Sequence, residues 1–387
     1  MDLFAPLKRA LADKKYITPT PIQLQTIPAA VEARDILGCA QTGTGKTAAF
    51  ALPILDFIGQ DRPRRERNGA TTLVLAPTRE LAIQIASSFR AYGKHMRFTM
   101  ATVYGGVSQR KQVDAMKQGV DVLIATPGRL LDLIKQKHIR LGSVQILVLD
   151  EADRMLDMGF LPDLRQIIAE LPNERQSLFF SATLPKNTVA LANRLLFNPV
   201  HVEVKTKIAD VNRISQSIRM VQRNGKFPML CNLLDADSVE QAIVFTRTKR
   251  CANRIAKKLD NAGINSTAIH GNKSQNARQE ALDNIREKRI SVLVATDIAS
   301  RGIDIEGISH VINYDMPVDP ESYVHRIGRT ARAGSDGVAI SFCTSDELQE
   351  LRAIESLIGK RIAVEGSGDK ANQNRQTAKR HRQLSRC

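Results

Sequence analysis

Residues 146–155 read ILVLDEADRM, and this stretch indicates the fold of the first half of the chain. Four aliphatic residues run directly into the carboxylates of Asp150, Glu151 and Asp153. A short continuous apolar run is typical of a strand that is buried on both faces of a parallel sheet. Because ligands of open α/β sheets bind beyond the carboxyl ends of the strands, three acids at such an end indicate a functional edge.

Similar apolar runs recur along the chain in two sets. The first set comprises TLVLAP (72–77), VLIATP (122–127), ILVLDE (146–151) and SLFFSAT (177–183), and the second AIVFTRT (242–248), VLVATD (292–297), HVINYD (310–315) and VAISFCT (338–344). Stretches with helical spacing lie between them, such as residues 79–93 and 250–263. Alternating strands and helices predict a doubly wound parallel sheet, and because the series runs twice we expect an α/β protein with two such sheets in tandem.

The composition divides the chain into segments. We predict a first domain at residues 1–205, a flexible polar linker at 206–213 and a second domain at 214–362. Residues 366–387 contain six Lys or Arg, one Asp and almost no large apolar side chain, so we predict a basic, disordered tail over 363–387.

Charge and cysteine usage limit the class of protein. The chain has 387 residues, and its 43% hydrophobic and 25% charged residues are ordinary for a globular protein. Its formal net charge of +16 is unusually high. A strongly basic protein usually binds a polyanion, although a solvated basic surface is the alternative. Five scattered cysteines without a Cys-x-x-Cys motif argue against zinc and disulfides and favour a reducing cytoplasm, and we expect no membrane segment.

The segment AQTGTGKT (40–47) is a candidate phosphate loop, although Ala40 stands where the usual pattern has its first glycine. A helix that begins near Lys46 presents backbone N–H groups and a favourable dipole to phosphate. Lys46 is expected to reach the β- and γ-phosphates of a nucleotide, and the Thr47 hydroxyl to bind Mg²⁺. The residues predicted to surround the phosphates are Gln41, Thr42, Gly43, Thr44, Gly45, Lys46 and Thr47.

The partner of the acidic strand end is then a metal ion that arrives with the nucleotide. Mg²⁺ takes one or two protein carboxylates and keeps several waters, so Asp150 is the candidate ligand. Glu151 is placed to polarise the water that attacks the γ-phosphate. The alternative is an acidic cluster that caps the following helix, particularly through Asp153.

These motifs, taken in order, resemble those of the DEAD-box ATP-dependent RNA helicases. The matching segments are AQTGTGKT, PTRELA (77–82), TPGR (126–129), DEAD (150–153), SAT (181–183), VFTRT (244–248), HGNKSQNARQ (270–279), ATDIASRGIDI (295–305) and HRIGRTARAG (325–334). Within the family the chain looks most like the bacterial RhlE-type members. The resemblance implies two RecA-like domains that close on ATP and RNA.

The resemblance also assigns further nucleotide contacts. It implies that Gln23 binds the adenine edge and that Thr20 ties this segment to the phosphate loop. Ser181 and Thr183 are expected to link the ATP site to domain closure. Asp304 is expected to contact the ribose, and Arg329 and Arg332 to bind the γ-phosphate, a role that suits the bidentate guanidinium group. The chain departs from the family pattern at Ala331, where the family has glycine, and at Asn272, where it has aspartate.

A second set of residues is expected to hold RNA. It consists of small, hydroxyl-bearing, glycine and arginine residues, which suit backbone contacts without sequence readout: Pro77, Thr78, Arg79, Gly105, Gly106, Thr126, Gly128, Arg129, Arg247, Gly271 and Thr296. Aromatic residues are only 4% of the chain, so a base-stacking platform is not expected.

The implied activity is ATP hydrolysis on binding single-stranded or duplex RNA, with local separation of short duplexes or remodelling of RNA–protein complexes. Ribosome-assembly and RNA-decay factors are candidate protein partners. Two rivals are a DNA-directed translocase with the same motor and an RNA clamp without turnover. A preference for the 2′-hydroxyl separates the first rival, and the presence of Lys46, Asp150, Glu151, Arg329 and Arg332 argues against the second.

Overall fold

The structure, a computed structural model, describes residues 3–40, 43–61, 63–204, 214–236, 239–297, 307–331 and 336–365. The described residues divide into two units, one up to residue 204 and the other from residue 214 onward. Each unit is built around a seven-stranded sheet.

The first unit contains seven strands and nine helices within its described residues. The strands are β1 (Ile36–Cys39), β2 (Ala70–Leu75), β3 (Met100–Val103), β4 (Val120–Ala125), β5 (Ile146–Leu149), β6 (Gln176–Ser181) and β7 (Val200–Glu203). The helices are α1 (Ala5–Asp13), α2 (Pro21–Val31), α3 (Lys46–Asp61), α4 (Arg79–Tyr92), α5 (Gln109–Met116), α6 (Pro127–Lys135), α7 (Ala152–Asp157), α8 (Leu161–Ala169) and α9 (Lys186–Leu195).

All strand pairs of the first sheet are parallel, in the order β3-β4-β2-β5-β6-β1-β7. Side chains of a strand alternate between the two faces. Val148 therefore packs in one core with helices α1 to α4, whereas Leu147 and Leu149 pack in the other core with α6 to α9. Since the pairs are parallel, the carboxyl ends of all seven strands lie along one edge of the sheet.

The second unit contains seven strands and five α-helices within its described residues. The strands are β8 (Ile214–Met220), β9 (Ala242–Phe245), β10 (Ser266–Ile269), β11 (Val292–Ala295), β12 (His310–Asn313), β13 (Gly337–Cys343) and β14 (Ala363–Glu365). The helices are α10 (Lys226–Leu234), α11 (Lys249–Asn261), α12 (Gln275–Arg286), α13 (Pro320–Ile327) and α14 (Leu348–Ile358). Two short 3₁₀ turns, Arg223–Gly225 and Ser345–Glu347, precede α10 and α14.

The second sheet repeats the strand plan of the first. Its order is β10-β11-β9-β12-β13-β8-β14, again with parallel pairs. When β8 is matched to β1, β9 to β2 and so on to β14 and β7, the two orders are identical. A strand end in one unit therefore has a structural equivalent in the other, and the predicted α/β class with two tandem doubly wound sheets is confirmed.

The sequence predicts that the second domain ends at residue 362, and the sheet of the second unit continues beyond that residue by one short strand. Residues 363–365 form β14, which pairs with β8 through Val364 and Ile218. Their side chains are exposed, so main-chain hydrogen bonds order this segment and its composition gives no sign of it. The predicted linker at 206–213 and the tail from 366 lie outside the described residues. Among those described, we find no helix with the length and hydrophobicity that crossing a bilayer requires.

Candidate functional site

The phosphate loop lies between β1 and α3 in the first unit. Its glycines have positive φ, +86° at Gly43 and +93° at Gly45, a region that a residue with a side chain adopts at a cost. Lys46 begins α3, is buried, and donates through Nζ to the Ala40 carbonyl at 2.8 Å. The Lys46 ammonium and the backbone N–H groups of the first turn of α3 therefore lie close together, as an anion-binding site requires. Gln41 and Thr42, also predicted to contact the nucleotide, are outside the described residues.

Gly45 lies against the first turn of α2. Gln23 donates through Nε2 to the Gly45 carbonyl at 3.2 Å and accepts from the Thr20 backbone N–H at 3.0 Å. A Cβ on Gly45 would lie 2.5 Å from Gln23 Nε2 and 3.0 Å from Thr20 Oγ1, so any larger residue at this position has to displace the Gln23 side chain. The structure therefore brings Thr20 and Gln23 together with the phosphate loop, as the sequence predicts.

Asp150 follows β5 and is 2% exposed. Its Oδ1 has no hydrogen-bond partner among the described residues. Burial raises the pKa of Asp150 to about 6, against the opposing effect of the Lys46 ammonium. A buried carboxylate oxygen without a partner, beside a phosphate loop, fits a Mg²⁺ ligand.

The donor set around Asp150 also fits magnesium. Within the described parts of the chain, no group of three or more His, Cys, Asp or Glu residues could hold a metal ion by itself. A nucleotide-bound Mg²⁺ needs only one or two protein ligands because phosphate and water supply the others. Asp150 and the Thr47 hydroxyl, in the first turn of α3, are the residues that would hold it.

Glu151 adopts a left-handed backbone conformation, with φ 54° and ψ 53°, and is 4% exposed. A residue other than glycine pays about 1–2 kcal/mol for this conformation. Its carboxylate forms an ion pair with Arg154, one turn later in α7. Backbone strain of this kind is often found at functional sites, which supports the catalytic role predicted for Glu151.

Asp153 connects the acidic segment to β6. Its Oδ2 accepts hydrogen bonds from the backbone N–H groups of Ala182 and Thr183, at 3.1 and 2.8 Å, and from the Thr183 hydroxyl at 2.9 Å. The Asp153 N–H donates to Ser181 Oγ at 3.3 Å, and that hydroxyl donates to the Thr183 carbonyl at 2.6 Å. The Asp153 carboxylate therefore has two roles: Oδ1 accepts from the Arg154 N–H in the first turn of α7 at 2.9 Å, as the capping alternative expects, and Oδ2 holds the Ser181–Thr183 segment in place.

The residues predicted to hold RNA in the first unit follow β2, β3 and β4. These strands are neighbours in the sheet, so Thr78, Gly106 and Thr126 lie along one half of its carboxyl edge. Thr78 caps α4 by accepting from Leu81 N–H at 3.3 Å. Pro77 is buried beside it, and the exposed Gly128 lies in the first turn of α6.

The side chains of two arginines, Arg79 and Arg129, pack against the glycine turn that follows β3. A Cβ on Gly106, where φ is +78°, would lie 2.0 Å from Arg79 Nη1, and one on Gly105 would lie 3.2 Å from Nη2. Arg129 donates to the Val107 carbonyl at 3.2 Å. Gln112 on α5, not singled out from the sequence, donates to the Tyr104 carbonyl at 2.9 Å and holds the other side of the turn.

In the second unit, Arg247, Gly271 and Thr296 follow β9, β10 and β11. These strands are the equivalents of β2, β3 and β4, so the predicted RNA residues occupy equivalent strand ends in both units. Gly271 is exposed, and Thr296 donates its N–H to the Ile269 carbonyl at 3.4 Å.

Cationic side chains surround the end of β10. Burial lowers the pKa of His270, and the nearby Lys273, Lys249 and Arg278 lower it further. Gln275 and Arg278 are buried on one face of the first turns of α12. Neither was singled out from the sequence, although their spacing of three residues within HGNKSQNARQ was a signal for a shared helix face.

The arginine motif begins in α13. Arg326 is 2% exposed and donates to both carboxylate oxygens of Asp297, at 2.6 and 2.8 Å, and to the Asp315 carbonyl at 2.8 Å. These contacts fix α13. Arg329 follows the helix and donates through Nε to the His325 carbonyl at 3.1 Å. Arg332 and Asp304 lie outside the described residues.

Ala331 has φ of +55°, the left-handed region that favours glycine. The departure from the family pattern at this position therefore introduces backbone strain.

Comparison with known families and proteins agrees with this geometry. The sequence model of the DEAD/DEAH box helicase family matches residues 20–191, and that of the helicase conserved C-terminal domain matches residues 225–334. The chain is 45% identical to the DEAD-box ATP-dependent RNA helicase CshA of Bacillus subtilis over 93% of its own length and 72% of that protein. It is 47% identical to CshA of Bacillus cereus over 87% of its length, but spans only 63% of that relative.

Solved structures show the same fold. The chain aligns with S. cerevisiae Dbp5 bound to RNA and ADP BeF3 at a TM-score of 0.85 and 32% identity, covering 98% of this chain and 97% of that one. It aligns with Mss116p bound to ssRNA and AMP-PNP at a TM-score of 0.84 and 27% identity, covering 95% and 78%. The relatives above carry the name CshA, so the RhlE-type assignment expected from the motifs is not supported. The chain belongs to the DEAD-box family of ATP-dependent RNA helicases.

Proposed function

We propose that this helicase hydrolyses ATP when it binds RNA and uses each cycle to separate a short duplex locally or to remodel an RNA–protein complex. One observation carries the proposal: the carboxyl edge of the first sheet is divided between two sets of residues. Lys46, Asp150 and Ser181 lie at the adjacent ends of β1, β5 and β6, whereas Thr78 and Gly106 belong to the set at the ends of β2, β3 and β4.

The nucleotide set has a chemical role for each side chain. Lys46 and the first turn of α3 bind the phosphates, and Gln23, supported by Thr20, recognises adenine. Mg²⁺, held by Thr47 and Asp150, would neutralise phosphate charge. Glu151 orients the attacking water and accepts its proton. The side-chain contacts of Asp153 with the Ser181–Thr183 segment support a role for that segment in transmitting the state of the site.

Residues of the second domain complete the nucleotide site in this proposal. Arg329 and Arg332 bind phosphate oxygens and Asp304 binds the ribose, so that hydrolysis depends on domain closure. The resemblance to the family and the position of Arg329 beside the fixed helix α13 support this assignment. The domain limits proposed are 1–205 and 214–365.

The RNA set supports backbone recognition without sequence readout. Its members are glycines, hydroxyl residues and arginines, which bind phosphate and ribose. Dbp5 and Mss116p, similar in fold, were solved with RNA and a nucleotide analogue. The four cysteines in the described part of the chain, Cys39, Cys231, Cys251 and Cys343, are free, which supports a reducing, cytoplasmic setting. Ribosome-assembly and RNA-decay factors remain the proposed partners.

The decisive experiment uses Glu151→Gln, which removes the proton acceptor and keeps the shape of the side chain. We expect RNA-stimulated ATP hydrolysis to fall by about 10²–10⁴-fold, while ATP and RNA still bind. The exposed Glu170 of the first unit provides the control, since Glu170→Gln makes the same chemical change away from the site. Multiple-turnover duplex separation at the wild-type rate by Glu151→Gln would contradict the mechanism.

The two rivals give different results with the wild-type protein. ATPase stimulation by RNA and by DNA of equal sequence is compared first. Equal stimulation by DNA would favour a DNA-directed translocase, because the 2′-hydroxyl distinguishes RNA. RNA binding without any hydrolysis would favour a clamp.

A further inference from the structure

Four charged side chains of the second unit form a cluster, and the roles assigned above cover only one of them, Arg247. The Glu347 cluster consists of Lys226 at the start of α10, Arg247 after β9, Asp315 after β12 and Glu347 before α14. Glu347 lies outside the residues matched by the family model, which end at 334. The four residues are far apart in sequence, so only the fold brings them together.

Glu347 is a buried carboxylate, 5% exposed, that accepts five hydrogen bonds. Its Oε2 accepts from Lys226 Nζ at 2.9 Å and from the Thr344 backbone N–H and hydroxyl at 3.1 and 2.9 Å. Its Oε1 accepts from Arg247 Nη2 at 3.2 Å and from the Met316 N–H at 3.3 Å. One oxygen is therefore held by the protein interior, while the other faces the arginine.

Lys226 and Asp315 support this arrangement. Lys226 is 4% exposed, and its Nζ lies 3.4 Å from Asp315 Oδ1 and 5.7 Å from the centre of the Tyr314 ring. The other Asp315 oxygen accepts from the Arg247 backbone N–H at 2.9 Å. The cluster thus holds both the backbone and the guanidinium of Arg247. A buried ion pair adds little net stability over an apolar pair, because desolvation offsets the attraction, so stability alone does not explain the cluster.

Arg247 is held by one edge only. Its side chain is 47% exposed. Nη2 donates to Glu347 and to the Met316 carbonyl at 3.3 Å, and among the described residues no hydrogen bond of Nε or Nη1 is found. A guanidinium fixed through one nitrogen keeps its remaining N–H groups available for a second acceptor.

The position of Arg247 identifies that acceptor. β9 lies next to β11 in the sheet, so Arg247 is beside the strand end that carries Thr296. We propose that Glu347 is a positioning residue that fixes the guanidinium of Arg247 so that its free edge binds an RNA phosphate. The inference rests on the RNA role proposed for Arg247. The opposite possibility is that Glu347 competes with phosphate for Arg247, and the two predict effects of opposite sign.

The test uses four variants of the full chain: Arg247→Ala, Glu347→Gln, the double variant and Glu350→Gln. The last is the control, since it makes the same change in the neighbouring α14. RNA affinity is measured by anisotropy with a labelled single strand over a range of salt concentrations, together with KM for RNA and kcat of the ATPase. Urea unfolding identifies any variant that is not folded under assay conditions.

We expect Arg247→Ala to weaken RNA binding about tenfold and to lower the magnitude of the salt slope by about 0.7, the value for one phosphate contact on a single strand. Glu347→Gln should weaken binding in the same direction, raise KM for RNA and leave kcat at saturating RNA unchanged. The double variant should bind no more weakly than Arg247→Ala, because Glu347 acts through Arg247. Glu350→Gln should bind like the wild type.

The outcomes separate the two levels of the argument. Unchanged RNA affinity in Arg247→Ala would overturn the proposed RNA role of Arg247, and the inference with it. If Arg247→Ala weakens binding but Glu347→Gln tightens it or leaves it unchanged, the positioning role alone is overturned. Additive losses in the double variant would also overturn it.

Discussion

The substitution Gly45→Ala tests whether the first turn of α2 supports the phosphate loop, and Gly43→Ala is its matched control. Both glycines have similar positive φ values, +93° and +86°, so each alanine costs about 1–2 kcal/mol in backbone strain. They differ in their surroundings. A Cβ on Gly45 would lie 2.5 Å from Gln23 Nε2, whereas one on Gly43 would have no described atom within 4 Å.

The magnitude follows from the contacts that Gly45→Ala breaks. Gln23 has to move, which removes its hydrogen bonds with the Gly45 carbonyl and the Thr20 N–H. At about 0.5–1.5 kcal/mol each, the loss is about 1–3 kcal/mol. If this energy appears in nucleotide binding, Gly45→Ala should bind ATP roughly 5–150-fold more weakly than Gly43→Ala.

The assay is calorimetric titration of both variants with ATP and with GTP in the presence of Mg²⁺. We expect the preference for ATP over GTP to fall in Gly45→Ala and to persist in Gly43→Ala, because only the first displaces the carboxamide of Gln23. Equal weakening in the two variants would refute the reasoning, since backbone strain alone would then account for both.

Three further predictions concern other sites. Ala331→Gly should stabilise the second unit against urea by about 0.5–1 kcal/mol, because relief of left-handed strain exceeds the entropy that glycine adds to the unfolded chain; a loss of stability would contradict it. Burial by itself would raise the pKa of Glu347, but Lys226 and Thr344 outweigh it and lower the pKa below its usual value. The ionised carboxylate therefore stabilises the fold above about pH 4.5, and the stability gap between the wild type and Glu347→Gln, measured by urea unfolding, should shrink as the pH falls below that value; a gap independent of pH would contradict it. Gly106→Ala should displace Arg79 and raise KM for RNA in the ATPase assay without changing ATP affinity, whereas Gly142→Ala, with open space around its Cβ, should change neither; equal effects of the two would count against the RNA role of this turn.

The sequence predicted those strands whose burial on both faces makes them continuous apolar runs, such as β5 and β11. It did not predict β8, whose sequence ISQSIRM has polar residues between its apolar ones, or β14, whose side chains are exposed. These strands are ordered by main-chain pairing with partners far along the chain, and local composition does not encode such pairing.

The candidate site shows the same limit. The sequence predicted Lys46, Asp150 and Ser181 as members of one site, but their proximity in the fold depends on the order β5-β6-β1, which no local pattern specifies. The ion pair of Glu151 with Arg154 was not predictable from helical spacing, because Glu151 precedes α7 in a left-handed conformation. The contact of Asp153 with the segment after β6 could not be predicted from local sequence, because it joins α7 to residues 30 positions later in the chain.

The position of β1 has a consequence for synthesis of the protein. This strand leads into the phosphate loop, yet its two neighbours are β6 and β7, the last strands of the first unit to be made. A nascent chain therefore cannot complete the nucleotide pocket until residue 203 has left the ribosome, and until then the apolar edges of earlier strands stay open to misassembly. β8 has the same relation to β13 and β14. Each domain can therefore complete its sheet only when its own translation is nearly finished. Until then its unpaired apolar strands are exposed to aggregation, and this is the interval in which binding by chaperones matters most.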